Sequence, residues 1–227
     1  MTDPLQDDIS SVELITYMGN DLMVVNAARV SMNKIHEEFI DPAATKLINY
    51  LAAHQHWTPF AHPQLQFRIK MPIFVAREWY RHTVGFARNE VSRRYVDFEP
   101  ELYIPEYNTW RKRQTNLKQG SSSEIVEETP VLEFYGRRRQ LDMLLAYARL
   151  LNDGVAPEMA RMVLPQSMYT EFIETASLYA YARLCHLRIS PDAQQEICRY
   201  AEAVSDIIEE LFPVSWQALT KNNKESE

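Results

Sequence analysis

The amino-acid sequence predicts an α+β fold, with a central antiparallel-type sheet and long flanking helices in a single domain. The first observation is the alternation of apolar and polar residues over 64–71, where Leu65, Phe67 and Ile69 recur at every second position. The second is the apolar spacing of about 3.6 residues over 131–152, which is typical of a long amphipathic helix. A few such strands beside several long helices favour the α+β class.

The N-terminal half contains one further strand pattern and three helix starts. Residues 12–18 alternate well enough for a strand, and Asp21 is predicted to cap a helix that runs to about residue 32. Asp41-Pro42 predicts another helix start, with Asp41 as N-cap and Pro42 at the first helical position. Residues 72–81 are predicted to form a third helix, which begins at the proline.

The C-terminal half is predicted to be mostly helical. Residues 168–173 are predicted to form a strand, and residues 176–187 and 192–211 are predicted to form helices, the last one ending before a proline. Residues 110–123 are polar and end in a Gly-Ser run, so they are the best candidate for a mobile loop.

Length and composition are those of one globular domain. The chain has 227 residues, of which 46% are hydrophobic, so it can bury a sizeable core. We expect this domain to span residues 12–219, after a loose N-terminal segment (1–11) and before a polar tail (220–227). The sequence shows neither a signal peptide nor an apolar run of about 18 residues, which predicts a cytoplasmic protein that does not contact a membrane.

The two cysteines do not indicate a metal or redox site. Cys185 and Cys198 lie thirteen positions apart, which is neither a tight metal-binding pair nor a CxxC spacing, so both are expected to be buried thiols. His54, His56 and His62 could be taken for a metal cluster. Since acidic partners are absent nearby, we expect no metal.

Five arginines lie close together in a chain of formal net charge −7. A basic cluster on an acidic protein indicates a local anion site, because a guanidinium stays charged and presents a planar fork of donors to phosphate. Ser92 and Glu90 add a hydroxyl and a carboxylate that could contact a sugar or ring. The combination predicts nucleotide recognition, although a solvated helix face is the ordinary alternative. The arginines are Arg77, Arg81, Arg88, Arg93 and Arg94.

The order of residues in this cluster resembles the signature of flavin-dependent thymidylate synthases. In that family Arg-His-Arg is followed after seven residues by Ser and then by an Arg-Tyr pair. Here Arg81-His82-Thr83 is followed after eight residues by Ser92, and then by Arg94-Tyr95. Other segments resemble the family in the same order: 18–21, 27–31, 56–62, 72–77, 160–165 and 187–188.

The resemblance implies reductive methylation of dUMP to dTMP. The one-carbon donor would be 5,10-methylenetetrahydrofolate, and reduced FAD, itself reduced by NADPH, would supply the hydride. The classical thymidylate synthases need a cysteine nucleophile in a recognisable setting, and neither Cys185 nor Cys198 has one. The resemblance also implies the α+β fold of that family and a homotetramer whose sites are shared between subunits, so that Arg161 and Arg188 could serve a neighbour's pocket.

The resemblance also implies roles for individual residues. Arg188 would face the uracil oxygens, where a fixed guanidinium favours the transition state as charge develops. The implied catalytic residues are Arg188, Ser92 and His56, with His56 near the folate. The implied dUMP-binding residues are Glu78, Arg81, Glu90, Val91, Ser92, Arg93, Arg94, Arg161 and Arg188. The implied FAD-binding residues are Ser31, Thr58, Arg81, His82, Thr83, Val84, Glu90, Ser177, Tyr179, Arg183, Leu187 and Asp192.

The sequence departs from the family mainly on the cofactor side. Thr83 replaces the third signature arginine, and Glu78 stands where the family often has a glutamine. Ser177, Tyr179, Arg183 and Asp192 replace Asn, Arg, Asn and His, and Ala61 replaces a carboxylate. These departures leave open a related flavin enzyme that transfers another one-carbon group, such as hydroxymethyl, to a pyrimidine nucleotide. Arg183 could compensate for the cofactor-side departures by contacting the flavin phosphate.

A nucleic-acid-binding protein is the alternative from another functional class. It would use the arginines of 77–94 together with the basic triplets 111–113 and 137–139. The net charge of −7 argues against it, because non-specific affinity for a polyanion depends on phosphate neutralisation. We therefore expect small-molecule partners and no nucleic acid.

Overall fold

The computed structural model describes residues 1–96, 98–106, 109–114, 120–127 and 134–221. Its strands are β1 (Ser11–Met18), β2 (Gln64–Pro72), β3 (Phe86–Glu90), β4 (Arg111–Arg113), β5 (Ser121–Ile125) and β6 (Tyr169–Ser177). Its α-helices are α1 (Asp21–Arg29), α2 (Ala43–Ala53), α3 (Ile73–Trp79), α4 (Arg139–Asn152), α5 (Pro157–Ala160), α6 (Leu178–Arg188), α7 (Gln195–Leu211) and α8 (Pro213–Lys221). Short 3-10 helices cover Val30–Met32, Thr58–Ala61 and Arg161–Val163.

The central sheet has four strands in the order β1-β2-β6-β3. Two hydrogen bonds show that β2 and β6 run in opposite directions. The Gln66 side-chain amide donates to Thr175 Oγ1 over 2.9 Å, and Ile73 N–H donates to Met168 O over 2.9 Å, so one residue number rises as the other falls. Together with the α-helices given above, this antiparallel pairing confirms the predicted α+β class.

The chain forms two compact units. Unit one comprises Met1–Ile69, His82–Asn89 and the chain from Ile173 onward, and unit two comprises Lys70–Arg81 and Glu90–Phe172. The predicted single domain over 12–219 stays a prediction. In the described part of the chain, no helix is long and apolar enough to cross a bilayer.

The core of unit one contains the predicted apolar face of β2. Leu65, Phe67 and Ile69 are completely buried, as their alternation predicts. The Phe67 ring meets the buried Tyr181 ring of α6 edge-to-face, with 5.3 Å between centroids. Further along, Trp216 of α8 is buried and donates its indole N–H to Ser205 Oγ over 2.9 Å. The C-terminal helices thus complete the core that the strand begins.

The predicted role of Asp21 as the cap of α1 is wrong. Asn20 is the N-cap, and its side-chain oxygen accepts from Met23 N–H over 3.1 Å. The Asp21 carboxylate is buried and instead accepts the N–H groups of Val214 and Ser215 at 3.0 and 2.9 Å. These donors belong to the first turn of α8, where N–H groups lack helical partners. Asp21 therefore links α1 to α8 within unit one.

Several predicted helix ends in the N-terminal half move by a few residues. The first helix ends at Arg29, and residues 30–32 form a 3-10 turn. The second helix begins at Ala43, because Pro42 is its N-cap and Asp41 accepts the Thr45 hydroxyl over 2.7 Å instead of a backbone N–H. The helix predicted for 72–81 is α3, which ends at Trp79.

The C-terminal half contains more strand and more helix than predicted. The strand predicted for 168–173 continues to Ser177, so the next helix starts at Leu178. The helix predicted to start at residue 192 starts at Gln195. The proline predicted only to end it also begins α8, because proline suits the first turn of a helix. Residue 220 of the predicted polar tail belongs to α8, and 222–227 lie outside the described residues.

Unit two contains a small hairpin where a mobile loop is predicted. Strands β4 and β5 pair antiparallel, with Arg111 opposite Ile125, so the prediction for 110–123 is wrong for the paired residues. Residues 115–119 lie outside the described part. The predicted helix over 131–152 is described from Phe134, where a π-helical segment (Phe134–Arg138) precedes α4. A Cβ on Gly136 would lie 2.8 Å from the Trp110 ring, so glycine allows this close packing.

The Asp21 bond can be tested by substitution. Asp21→Ala should lower the free energy of unfolding by about 1–3 kcal/mol, because two N–H groups of α8 lose their acceptor. Asp21→Asn keeps one carbonyl oxygen as an acceptor, so its free energy of unfolding should lie between those of the native protein and Asp21→Ala. The exposed Asp41→Ala is the matched control and should cost less than about 1 kcal/mol. Denaturant titration at one protein concentration measures all three, and equal losses for Asp21→Ala and Asp41→Ala would contradict the assignment.

Candidate nucleotide and flavin site

The segment from His82 to Gly85 packs along α6 in unit one. Gly85 has φ of +83°, and a Cβ there would lie 3.2 Å from Ala180 Cβ, so both the backbone conformation and the close approach favour glycine. Ser177 caps α6, since its hydroxyl accepts from Ala180 N–H over 3.2 Å. We call residues 82–85 the signature loop. The structure thus brings the predicted flavin residues His82, Thr83 and Val84 beside α6.

One face of α6 carries three predicted flavin residues. Tyr179, Arg183 and Leu187 recur every four positions, and the last two are exposed. The opposite face is buried through Tyr181, Leu184 and Cys185. Three predicted flavin ligands are therefore side-chain neighbours on one helical stripe.

The segment around Thr58 also lies beside this stripe. The Trp57 ring packs on Tyr179 with 5.8 Å between ring centroids, and Leu178 N–H donates to Pro63 O over 3.0 Å. Thr58 is exposed at the start of its 3-10 helix. His56 is exposed too, and its ring lies 6.2 Å from that of Tyr50 in a stack that includes His54. Ser31 and Asp192 are exposed elsewhere on unit one.

Inside unit one, His82 and Arg188 are joined by a hydrogen bond. Arg188 Nε donates to His82 Nε2 over 2.9 Å, and Arg88 donates to the His82 carbonyl oxygen. Burial, followed by the charges of Arg188, Arg88 and Arg183, lowers the pKa of His82 to about 4. The imidazole is therefore neutral at physiological pH.

Arg88 belongs to the arginine cluster, and the sequence predicted no individual role for it, yet it binds both Glu174 and the His82 carbonyl oxygen. Its Nε donates to Glu174, whose side chain is completely buried, and its guanidinium lies 4.5 Å from the centroid of the Phe86 ring. Burial, followed by Glu174, raises the pKa of the neighbouring Tyr181. No sequence pattern pairs Arg88 with Glu174, which lies 86 positions away.

In unit two, the start of the predicted nucleotide set lies at the end of β3. Glu90 accepts the Thr170 hydroxyl over 2.6 Å, and Val91 N–H donates to Glu171 O over 2.8 Å. Ser92 then begins a turn in which its hydroxyl accepts from Arg94 N–H over 3.3 Å. The Glu90 carboxylate is thus held by Thr170, and the Ser92 hydroxyl by the backbone of Arg94.

Glu158 brings two predicted phosphate ligands together. Arg94 Nε lies 3.6 Å from the Glu158 carboxylate, and Arg161 Nε donates to the Glu158 carbonyl oxygen over 3.3 Å. The carboxylate and Arg94 are both about half exposed. Sequence reasoning missed Glu158, although its position three residues before Arg161 puts both on one helical turn. An anion could replace this exposed carboxylate at low energetic cost.

The other predicted nucleotide ligands differ in accessibility. Arg93 is 6% exposed, donates to Phe98 O and stacks on the Phe98 ring, and burial lowers the pKa of its guanidinium. Arg81 is exposed just after α3, and its N–H donates to Glu78 O over 3.2 Å. The accessible guanidiniums of this predicted set in unit two are those of Arg81, Arg94 and Arg161.

Both thiols are poor nucleophiles. Complete burial, followed by Glu174 and Asp206, raises the pKa of Cys185 far above the neutral range. Burial, followed by Glu202, raises the pKa of Cys198 to about 11. The predicted burial is confirmed for Cys185, whereas Cys198 is partly exposed. Within the described ranges, no cluster of three His, Cys, Asp or Glu side chains could hold a metal ion.

Comparisons with known proteins agree with these features. A sequence model of the thymidylate synthase complementing protein family (Thy1) matches residues 13–214. The chain is 40% identical to the flavin-dependent thymidylate synthase of Thermus thermophilus, over 95% of this chain and 77% of that protein. It is 36% identical to the enzyme of the same name from Thermosipho melanesiensis, over 95% of this chain and 93% of that protein.

Solved structures give the same result. The chain superposes with a TM-score of 0.82 on a UMP/dUMP methylase, PolB, from Streptomyces cacaoi bound with 5-Br dUMP, at 30% identity. The match covers 93% of this chain and 95% of PolB. By the family model, the relatives and the fold, the chain belongs to the flavin-dependent thymidylate synthase family.

Proposed function

We propose that this enzyme converts dUMP to dTMP, with 5,10-methylenetetrahydrofolate as one-carbon donor and reduced FAD, regenerated by NADPH, as hydride source. The observation that carries the proposal is the polar set of unit two, in which Glu90, Ser92, Arg94 and Arg161 meet the needs of a nucleotide. The names of the relatives and the 5-Br dUMP bound to PolB support it.

The phosphate would bind to Arg94 and Arg161. Arg94 Nε faces the Glu158 carboxylate and Arg161 Nε donates to the carbonyl oxygen of the same residue, so a phosphate that displaces this carboxylate would meet Arg94 and lie near Arg161. The Ser92 hydroxyl can donate to the same anion. Arg81 and the backbone of Val91 and Arg93 would complete the contacts, and the buried Arg93 side chain would fix the turn.

The sugar would bind to Glu90. A carboxylate accepts from a sugar hydroxyl, and Thr170 holds one Glu90 oxygen at 2.6 Å and so restricts its rotation. Glu78 would lie near the phosphate only with a guanidinium between them, because two anions repel at short range. Arg81, whose N–H donates to Glu78 O, is suited to that position.

Arg188 would act on the uracil ring. Negative charge would develop on the ring oxygens as hydride adds to the ring, and a guanidinium held in place would stabilise that charge without reorganising. Arg188 also fits this role because a guanidinium presents a planar set of hydrogen-bond donors. His56, exposed in its ring stack, would contact the folate.

The residues of unit one fit FAD by the chemistry of their donors. Tyr179 and Leu187 offer flat or apolar surface to a ring system, and Arg183, Ser31 and Thr58 offer donors to phosphate or ribose. Gly85 brings the backbone of the signature loop against α6, which places His82, Thr83 and Val84 beside that stripe. When bound, the reduced flavin supplies a hydride. Ser177 and Asp192 would contribute hydroxyl and carboxylate contacts, and Arg81 and Glu90 would contact the cofactor as well as dUMP.

We propose a homotetramer as the active form.

The proposed reaction has a direct test. Purified protein should show a flavin absorbance spectrum that bleaches on anaerobic addition of NADPH. With dUMP and methylenetetrahydrofolate it should release a product with the mass of dTMP. A product heavier by one oxygen would instead favour the hydroxymethyl alternative, which the departures at Thr83, Ser177 and Tyr179 motivate. A colourless protein that forms no product would refute the proposal.

Chemistry without a protein thiol predicts tolerance of cysteine substitutions. The variant Cys185→Ala/Cys198→Ala should form product at a rate within about threefold of the native rate, because neither thiolate forms near neutral pH. Since Cys185 is buried, its truncation should lower stability by roughly 1 kcal/mol, which circular dichroism can monitor. Loss of product formation from a folded double variant would show that a thiol takes part.

Arg188→Ala should lower kcat by about 10²–10³-fold as well as weakening dUMP binding, as expected when a donor to developing charge is removed. Arg183→Ala is the matched control on the same helix, and it should weaken FAD binding while leaving kcat at saturating FAD largely intact. Steady-state kinetics and a flavin titration distinguish the two. Unchanged kcat with only a raised KM in Arg188→Ala would count against its role, and unchanged flavin affinity in Arg183→Ala would remove the proposed phosphate contact.

A further inference from the structure

The Arg188 side chain contacts His82, the first residue of the signature loop. Arg188 is the last residue of α6, so four rotatable side-chain bonds lie between a helix end and the guanidinium. A guanidinium that stabilises charge developing on a ring needs a defined position, because a displacement of about 1 Å can cost about 10²-fold in rate. The hydrogen bond from Arg188 Nε to His82 Nε2 at 2.9 Å supplies such a restraint.

We propose that His82 is a positioning residue, whose unprotonated Nε2 accepts from Arg188 Nε and thereby directs the Nη edge of the guanidinium toward the pyrimidine. This inference rests on the proposed role of Arg188 in dUMP methylation, and it gives His82 a task beyond the flavin contact that the family resemblance implies. The bond to His82 uses Nε–H, whose direction differs from that of the edge carrying the two Nη groups.

The backbone of His82 is itself held. Arg88 donates to the His82 carbonyl oxygen, and the same guanidinium donates through Nε to the completely buried Glu174. An imidazole on a fixed backbone can restrain a longer side chain, whereas an imidazole on a loose loop would move with it. The path from Glu174 through Arg88 to His82 therefore stiffens the acceptor before any ligand arrives.

The direction of the bond fixes the tautomer. Arginine Nε–H can only donate, so His82 Nε2 carries no proton and Nδ1 carries it. Protonation of Nε2 would replace the acceptor by a second donor and break the bond. The charged groups that face the ring are the guanidiniums of Arg188, Arg88 and Arg183, and each of them disfavours a further positive charge.

This arrangement gives a pH dependence of defined sign. The pKa of His82 is lowered from 6.5 to about 4, so above pH 6.5 the imidazole is neutral in both the folded and the unfolded chain. Between pH 6.5 and 4 the unfolded chain binds a proton that the folded chain does not, and the stabilisation is lost as the pH falls through this window. The bond to Arg188 persists until the pH approaches 4.

Two isosteric variants separate the positioning role from a general structural role. In His82→Gln the amide group lies near the former Nε2 and can accept from Arg188, whereas in His82→Asn it lies near the former Nδ1 and cannot. At saturating FAD and dUMP, His82→Asn should lose about 10–100-fold in kcat with little change in KM. His82→Gln should turn over at least about tenfold faster than His82→Asn. Equal losses in both variants, or a loss in His82→Asn that excess FAD restores, would overturn the proposal.

A double substitution and a pH profile give further readouts. In His82→Asn/Arg188→Ala the two losses should not add, because His82 acts through Arg188. Additive losses would overturn the proposal. For the folded native enzyme, kcat should decline as the pH approaches 4, and that decline should be absent from His82→Gln, whose amide does not titrate. An identical decline in both proteins would contradict the assignment.

A spectroscopic measurement tests the bond without any turnover. In protein labelled with ¹⁵N-histidine, the His82 signal is identified by its absence from the His82→Gln spectrum. It should show the neutral Nδ1–H tautomer at pH 7 and keep it well below pH 6, and Arg188→Ala should raise its pKa. The Nε2–H tautomer, or titration near pH 6.5, would refute the hydrogen bond. If the bond is present but the native protein forms no dTMP, the proposed function fails and the geometry stands.

Discussion

The buried ion pair between Arg88 and Glu174 is the constraint on which the arrangement of unit one depends. Glu174 is completely buried, and a buried carboxylate is tolerated only with a partner of opposite charge and good geometry. Arg88 comes from β3 and Glu174 from β6, so the pair fixes neighbouring strands. Such a pair need not add net stability over apolar side chains, but it admits few alternative registers.

The consequences of that pair reach the signature loop and α6. Arg88 also holds the His82 carbonyl oxygen, and β6 leads directly into α6, whose capping residue is Ser177. The positions of the loop and of the helix are thus both set by the same two strands. Gly85 completes the fit, because a side chain there would meet Ala180. The positions of the predicted flavin residues beside α6 are therefore set by the sheet, through Arg88 and Glu174.

The sequence predicted those parts whose signal is local. The β2 strand was predictable because its buried face recurs every second residue, and α4 and α7 because their apolar spacing is helical. Strand β3 was not, since Phe-Ala-Arg-Asn-Glu has no apolar alternation and forms a strand by pairing with β6. The second role of Asp21 was invisible for a related reason, since its partners lie more than 190 positions away. Roles for site residues were predicted from the ordered motifs of a family and stay predictions, whereas Arg88 and Glu158 make contacts that no motif records.

The arginines of the two units have different electrostatic effects. The chain has a net charge of −7, yet five of its arginines lie within residues 77–94, which favours anionic ligands there. In unit two Arg94 faces the Glu158 carboxylate, which can yield to a stronger anion, and Arg161 binds the carbonyl oxygen of the same residue. In unit one, burial and the charges of Arg188, Arg88 and Arg183 lower the pKa of His82, so its imidazole stays neutral. The guanidiniums of Arg188, Arg88 and Arg183 thus keep His82 a hydrogen-bond acceptor, which is the state that its proposed positioning role requires.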